Sequence, residues 1–229
     1  IEKYGADALR FTLAAGSGYN RNLNLDPERI EGYRNFINKV WNAYRFISSH
    51  LTESLLIFDK QALDHHEKWI LSELGQTIVS MNASMAEYRF DDSCQTIYSF
   101  VYDKFCSWFI ELSKPILNGT DSQAKKRRST VLKFIFRQLL KLMHPFTPYI
   151  TEELWSFLKT DSEDLITIQE YPETNEWIYP EDLAMMSTFV ETVSSIRFLR
   201  TSANFKPKDE VSVCLYVSDS KLQSYFESN

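Results

Sequence analysis

The chain has 229 residues, a net charge of −6, 44% hydrophobic residues and 24% charged residues. This composition is typical of a globular protein with a hydrophobic core and excludes collagen-like or disordered chains. No apolar run approaches the roughly 18 residues that a membrane-spanning helix needs. The acidic balance argues against a dedicated nucleic-acid-binding protein, although local basic patches can still bind RNA. We expect the three cysteines to be buried thiols in a reducing compartment, the cytoplasm: Cys94, Cys106 and Cys214.

Helical periodicity dominates the first two thirds of the chain. Apolar residues at steps of three and four predict a first long helix over 28–51, and Asp26-Pro27 is a start signal in front of it. A second helix is predicted to begin at Asp64, because Glu67 three residues later completes an acidic form of the capping box. Long helices joined by short turns indicate a mainly α fold, an antiparallel helical bundle.

Three further helices follow in the same pattern. We predict one from about Asp91 that stops before Pro115, one over roughly 122–143, and a shorter one that starts at Thr147-Pro148. Residues 159–180 are rich in Asp, Glu, Ser and Pro, which indicates a surface connection with a short extended piece around Ile166.

The last part of the chain changes character. A helix is predicted over about 181–202, and alternating apolar residues from Val211 to Val217 predict a strand. Asp219 is placed to cap a final helix. This order of elements predicts the start of a small, truncated α/β unit after the bundle.

Catalytic constellations are nearly absent from the sequence. There is no Gly-rich phosphate loop and no Ser or Cys nucleophile motif. His65 and His66 are neighbours on a helix, so their side chains diverge and we expect no metal site.

Basic residues are the better functional candidates. The fourth helix opens with the basic run Lys125 to Arg128. The basic pattern continues at four-residue spacing with Lys133, Arg137 and Lys141. Such a stripe can bind a phosphate backbone, and a solvated helix face explains it equally well. On the first long helix, Phe46 lies beside Arg45. An aromatic ring can stack on an unpaired RNA base while neighbouring hydrogen-bond donors read the edge of that base. The alternative is that Phe46 packs against another helix. A third basic group contains Arg197 and Arg200, with Lys206 and Lys208 beyond; an ordinary helix C-terminus explains it as well.

Five strings of sequence resemble one family, in that family's order. The run DPERIEGYRNFINKVWNAYRF (26–46) closely resembles the start of the anticodon-binding bundle of the class I valyl-tRNA synthetases, and YRFDDSCQTIYSFVYDKFCSWFIELSKP (88–115) resembles their next core helix. HPFTPYITEELW (144–155) is similar to a string shared by valyl, isoleucyl and leucyl enzymes. KYGADALRF (3–11) and IRFLR (196–200) resemble the segments that flank the bundle.

The resemblance implies a division of the chain and a role for it. Residues 1–25 would be a connector that follows an absent catalytic domain, 26–158 the anticodon-binding bundle, 159–203 a linker with a further bundle helix, and 204–229 the truncated C-terminal piece. The HIGH and KMSKS motifs of the family are missing, so we expect a fragment that is inactive alone and needs no cofactor. The longer parent would attach valine to its tRNA with ATP and magnesium, through an adenylate.

The resemblance also implies partners and contacts. We expect the fragment to be a monomer that binds the anticodon arm of a valine tRNA and no membrane, with a base pocket between the first long helix and the helix that contains CSWFIE. Phe46 would be the stacking platform and Ile110 an apolar wall. Edge or phosphate contacts are expected from Asn24 and Arg29, with Arg34 and Asn38 as weaker candidates. An isoleucyl-tRNA synthetase domain and a helical protein-interaction module remain as alternatives.

Overall fold

The computed structural model describes residues 2–18, 25–51, 59–160, 163–173, 177–206 and 208–228. The chain separates into two compact units, Ile1–Ile178 and Tyr179–Asn229. The first unit contains the helices α1 (Ala6–Ala15), α2 (Pro27–Ser48), α3 (His65–Ala86), α4 (Phe90–Ser99), α5 (Ile110–Asn118), α6 (Ser122–Met143) and α7 (Pro148–Leu158). Short 3-10 turns occur at Lys60–Ala62 and Ile166–Ile168. The second unit contains α8 (Pro180–Ser202) and α9 (Ser220–Ser228).

The first unit is the helical bundle that the periodicity predicts. Helix α2 packs against α1, α6 and α7, while α3 packs against α4 and α6. Large apolar side chains from these helices meet in the interior and are removed from water, which supplies the main stabilisation of the fold. The core includes Phe11, Phe36, Trp69, Phe136 and Trp155.

Helix starts follow the sequence signals closely. Asp26 accepts a hydrogen bond from Glu28 N at the start of α2, and Asp64 and Glu67 form a complete capping box at the start of α3. In the second unit, Asp219 accepts from Leu222 N at the start of α9. Each side chain satisfies an amide that the first turn of a helix leaves without an intrahelical partner.

Helix α7 is capped from a distant part of the chain. Thr147 stands at its N-cap position but makes no side-chain cap bond. Instead, Asp7 on α1 accepts hydrogen bonds from Ile150 N (2.7 Å) and Tyr149 N (3.3 Å). Arg10 Nη2 donates to Pro145 O in the turn before α7. These contacts attach α1 to the turn between α6 and α7.

The helix predicted to stop before Pro115 instead continues to Asn118. Helices α4 and α5 are joined by a π-helical segment, Phe100–Phe109, in which Ile110 N donates to Phe105 O five residues back. Ser107 Oγ donates to Tyr102 O with the same five-residue spacing. Pro115 lies inside α5, and since its missing amide costs a single hydrogen bond near a helix end, the helix accommodates it.

Three local predictions were wrong. The extended piece around Ile166 is a 3-10 turn, and Cys214 is exposed although Cys94 and Cys106 are buried. Residues 211–217 form no strand, because a strand needs a partner to complete its hydrogen-bond ladder and the described ranges contain none.

Candidate RNA-binding surface

The outer face of α2 carries polar and cationic side chains at helical spacing. Arg34, Asn38 and Arg45 are all exposed and lie on one side of the helix. From residue 33 to residue 50 the sequence contains three basic side chains and no acidic one, in a chain whose net charge is −6. Among the described residues, neither Arg34 nor Arg45 has an ion-pair partner, so both guanidinium groups are available to a polyanion.

Phe46 lies on one edge of this face. Its side chain is partly exposed, and its ring centroid lies 4.8 Å from that of His50 at an interplanar angle of 45°. His50 Nδ1 lies 2.9 Å from Phe46 O, which fixes the imidazole against the same turn of α2. A partly open aromatic ring supported from one side can stack on an unpaired base.

The same edge of α2 is attached to the π-helical segment. Lys39 Nζ lies 3.4 Å from the centroid of the Tyr102 ring and donates to Ser107 Oγ at 3.3 Å. The structure therefore brings the first long helix against the helix that contains CSWFIE, the two helices between which the family resemblance implies a base pocket. Ile110, the expected apolar wall of that pocket, is only 6% exposed. Its side chain belongs to the core, and a base could not reach it without local rearrangement.

Two of the expected RNA contacts, Asn24 and Arg29, stand at the entry to the first long helix in the sequence. Asn24 lies outside the described residues. Arg29 is exposed, and its Nη2 donates to Ala15 O at 3.3 Å, which links the first turn of α2 to the end of α1.

The basic stripe predicted on α6 is not a continuous exposed surface. Arg137 is 5% exposed; it donates to Leu158 O at 2.9 Å, pairs with Glu163 and lies 4.1 Å from the Trp155 ring centroid. Its side chain is engaged within the fold, and its assignment as an RNA contact stays a prediction. Lys141 is partly buried near the same ring, and burial lowers the pKa of its ammonium group, with the Arg137 charge adding to the effect.

Lys133 is the member of that stripe that stays at the surface beside α2. It is partly exposed and follows Ser129 by one turn, and Ser129 Oγ donates to His50 O at 2.7 Å. Phe46 lies one turn before His50 on α2, and Lys133 lies one turn after Ser129 on α6.

The basic run that opens α6 ends in two arginines with partners inside the fold, whereas Lys126 is exposed. Arg128 is fully buried and donates to Asp64, Glu67 and Ser113, while Arg127 Nε donates to Glu67 Oε2 at 2.8 Å. Burial raises the pKa of Asp64, but the Arg128 charge and the hydrogen bonds from Glu67 N and Arg128 together hold that pKa below its usual value. Arg127 and Arg128 therefore join α6 to the start of α3.

The third basic group lies in the second unit, at the end of α8. Arg197 is exposed, whereas Arg200 Nη2 donates to Lys206 O at 3.2 Å and Asp209 O at 2.8 Å. Arg200 thus organises the turn that follows its own helix. The RNA contacts of both residues stay predictions.

Sequence reasoning missed an aromatic row on the other edge of α2. Trp41 is 37% exposed, its ring centroid lies 6.2 Å from that of Tyr44, and Tyr44 stacks on Phe157 of α7 at 5.6 Å. Helical spacing could have identified Trp41, because a residue three positions after Asn38 and four before Arg45 lies on the same face of the helix as both. No sequence signal connects α2 with Phe157, which is more than a hundred residues away.

Metal-binding clusters and membrane-spanning helices are both absent from the described residues. No group of three or more His, Cys, Asp or Glu side chains there could hold a metal ion. No helix in those ranges is both long and apolar enough to cross a membrane.

Comparisons with known proteins show which family the chain belongs to. The family described as the anticodon-binding domain of tRNA ligase matches residues 67–215. Valine–tRNA ligases from Bacillus thuringiensis subsp. konkukian and Listeria monocytogenes are 35% and 36% identical over 100% of this chain and 26% of their own length. The enzyme of Rhizobium meliloti is 38% identical over 90% of this chain and 22% of its own length. The chain spans about a quarter of the length of these relatives.

A solved structure shares the fold. The LeuRS of Agrobacterium radiobacter K84, crystallised in a ternary complex with tRNA and LeuAMS, matches 80% of this chain and 21% of its own with a TM-score of 0.56 and 21% identity. Taken with the family match, this likeness confirms the helical bundle. The chain belongs to the family of anticodon-binding domains of tRNA ligases.

Proposed function

We propose that this chain is the part of a valine–tRNA ligase that binds the anticodon arm of the tRNA. The observation that carries the proposal is the outer face of α2. Arg34 and Arg45 have no ion-pair partner there among the described residues, they lie beside Asn38 and the Phe46 ring, and no acidic residue occurs from 33 to 50. The relatives that match the full length of the chain are valine–tRNA ligases, which supports valine as the cognate amino acid.

The longer ligase would carry out the chemistry elsewhere. It would join valine to ATP as an adenylate, with magnesium, and then transfer valyl to the tRNA. This chain would supply recognition and act as a monomer in the cytoplasm. Phosphates would bind Arg34, Arg45 and Lys133 through charge, and base edges would meet Asn38 while one base stacks on Phe46.

Replacing the ring tests the proposal. We expect Phe46→Ala to weaken binding of an RNA hairpin with the valine anticodon by about 1–3 kcal/mol, the usual loss of one stacked base. Fluorescence anisotropy of a labelled hairpin gives the affinity directly. Phe46→Tyr keeps a stacking ring and should bind nearly as well as the unaltered chain.

The control is an exposed aromatic residue in the other unit. Tyr216 is almost fully exposed, and Tyr216→Ala should leave the affinity unchanged. Equal binding by Phe46→Ala and Tyr216→Ala, with both proteins folded, would remove Phe46 from the interface. Failure of the unaltered chain to bind any RNA hairpin would refute the proposed function.

A further inference from the structure

A row of aromatic rings runs from the surface into the core beside α2. Its outer members are Trp41 and Phe157, 37% and 52% exposed, and Tyr44 lies between them. Tyr44 also stacks at 6.3 Å on Phe136, which is fully buried. The two exposed rings therefore have a rigid support, because their common neighbour is held by the core.

This row lies on the edge of α2 opposite to Phe46. Trp41 and Phe46 are five residues apart, which places them about 140° apart around a helix of 3.6 residues per turn. Arg34, Asn38 and Arg45 project between them on the exposed side. The outer face of α2 thus has a cationic and amide centre with an aromatic ring on each side.

The charges of this face select the kind of ligand. An exposed pair of large rings could receive either a base or an apolar protein surface. However, Arg34 and Arg45 border the row without ion-pair partners among the described residues, and no carboxylate occurs from 33 to 50. Desolvating two unpaired guanidinium groups against an apolar partner would be unfavourable, whereas phosphate groups satisfy both. An RNA strand fits this combination better.

We propose that Trp41 and Phe157 form a second stacking surface, which holds another unpaired base of the RNA that α2 binds. This inference rests on the proposed function. The RNA strand would cross the outer face of α2, with phosphates on the two arginines and one base stacked at each edge. Tyr44 is a positioning residue in this arrangement, since it fixes the two exposed rings against Phe136.

Trp41→Leu tests the proposal because it keeps apolar bulk and removes the aromatic face. We expect its affinity for the anticodon-arm hairpin to fall about 5- to 100-fold, and that of Trp41→Phe to fall less than about 3-fold. Tyr149→Leu is the matched control: Tyr149 is an exposed aromatic on α7, outside the aromatic row, and its replacement should leave the affinity unchanged.

Tryptophan fluorescence supplies a readout that a structural role would not change. Stacking of a base on Trp41 should quench the emission of the unaltered chain when RNA is added, and Trp41→Phe should lose that component while still binding. Equal affinity of Trp41→Leu and the unaltered chain, while Phe46→Ala binds weakly, would overturn this inference and leave the proposed function intact. Loss of self-association in Trp41→Leu with unchanged RNA affinity would identify a protein interface instead. Absence of RNA binding by the unaltered chain would overturn both.

Discussion

Arg128 connects two helices through a buried charge network, and its removal should destabilise the bundle strongly. The side chain is fully buried; it donates to Asp64 Oδ2 at 2.6 Å, Glu67 Oε1 at 3.0 Å and Ser113 Oγ at 3.1 Å. Glu67 is also fully buried, and its second oxygen accepts from Arg127 Nε at 2.8 Å. In Arg128→Met, the apolar stem is kept while these three hydrogen bonds are lost.

The magnitude follows from what remains around Glu67. Removal of one member of a buried ion pair costs roughly 3–5 kcal/mol, because the other charge stays buried. Arg127 and the Asp64 amide still hold one carboxylate oxygen of Glu67, so we expect the low end, about 3 kcal/mol. Arg127→Met is the matched control: its side chain is 25% exposed, and losing its charged hydrogen bond should cost about 1.5 kcal/mol, the low end for such a bond.

Urea denaturation at neutral pH measures both losses. All five tryptophans lie before residue 179, so tryptophan fluorescence follows unfolding of the first unit alone. Arg128→Met should lower the transition midpoint more than Arg127→Met at an unchanged slope. A loss in Arg128→Met no larger than that in Arg127→Met would refute the view that the buried pair holds α3 and α6 together.

The other predictions concern pH, salt and capping. Burial lowers the pKa of His66 to about 4, below the value of about 6.5 in the unfolded chain. Between these two pKa values the unfolded state binds more protons than the folded state, so about 3 kcal/mol of stability should be lost as pH falls from 6.5 to 4. His66→Gln should make the urea midpoint depend less on pH in this range. If a His65→Gln control reduced the pH dependence equally, the assignment of the effect to His66 would be contradicted. Lys133→Gln should reduce the salt dependence of RNA affinity in a titration at several salt concentrations. Arg137→Gln should lower the melting temperature and leave that salt dependence unchanged. A salt dependence reduced by Arg137→Gln alone would contradict the internal role of Arg137. Asp7→Ala should cost about 1–2 kcal/mol in urea denaturation because α7 loses its cap, and an unchanged midpoint would show that the cap is not needed.

Local signals predicted the helices well because capping and periodicity act over a few residues. Asp64 and Glu67 are three residues apart, and the capping box they form depends on nothing outside that turn. Helix α6 was predicted with its observed bounds, since its apolar stripe is regular and Pro145 follows it. Pro115 misled the prediction because it lies near the end of α5, where the missing amide costs a single hydrogen bond and does not stop the helix.

The candidate site was harder to predict because the partners of charged residues come from distant segments. Arg137 is equivalent to Lys133 by spacing, yet its partners are Leu158 O and Glu163, contributed by the segment that follows α6. Arg128 is likewise paired with Asp64, 64 residues away. Spacing assigns residues to one face of a helix, but only the packed fold shows whether that face meets water or another helix.

The central claim is that this chain reads the anticodon arm through α2. The most direct measurement compares its affinity for a valine tRNA and for the same tRNA with a swapped anticodon, each at low and moderate salt. We expect tighter binding of the valine anticodon at both salt concentrations, with a difference that Phe46→Ala abolishes. Equal affinity for the two tRNAs in the unaltered chain, falling in parallel as salt rises, would show electrostatic attachment alone and would contradict the claim.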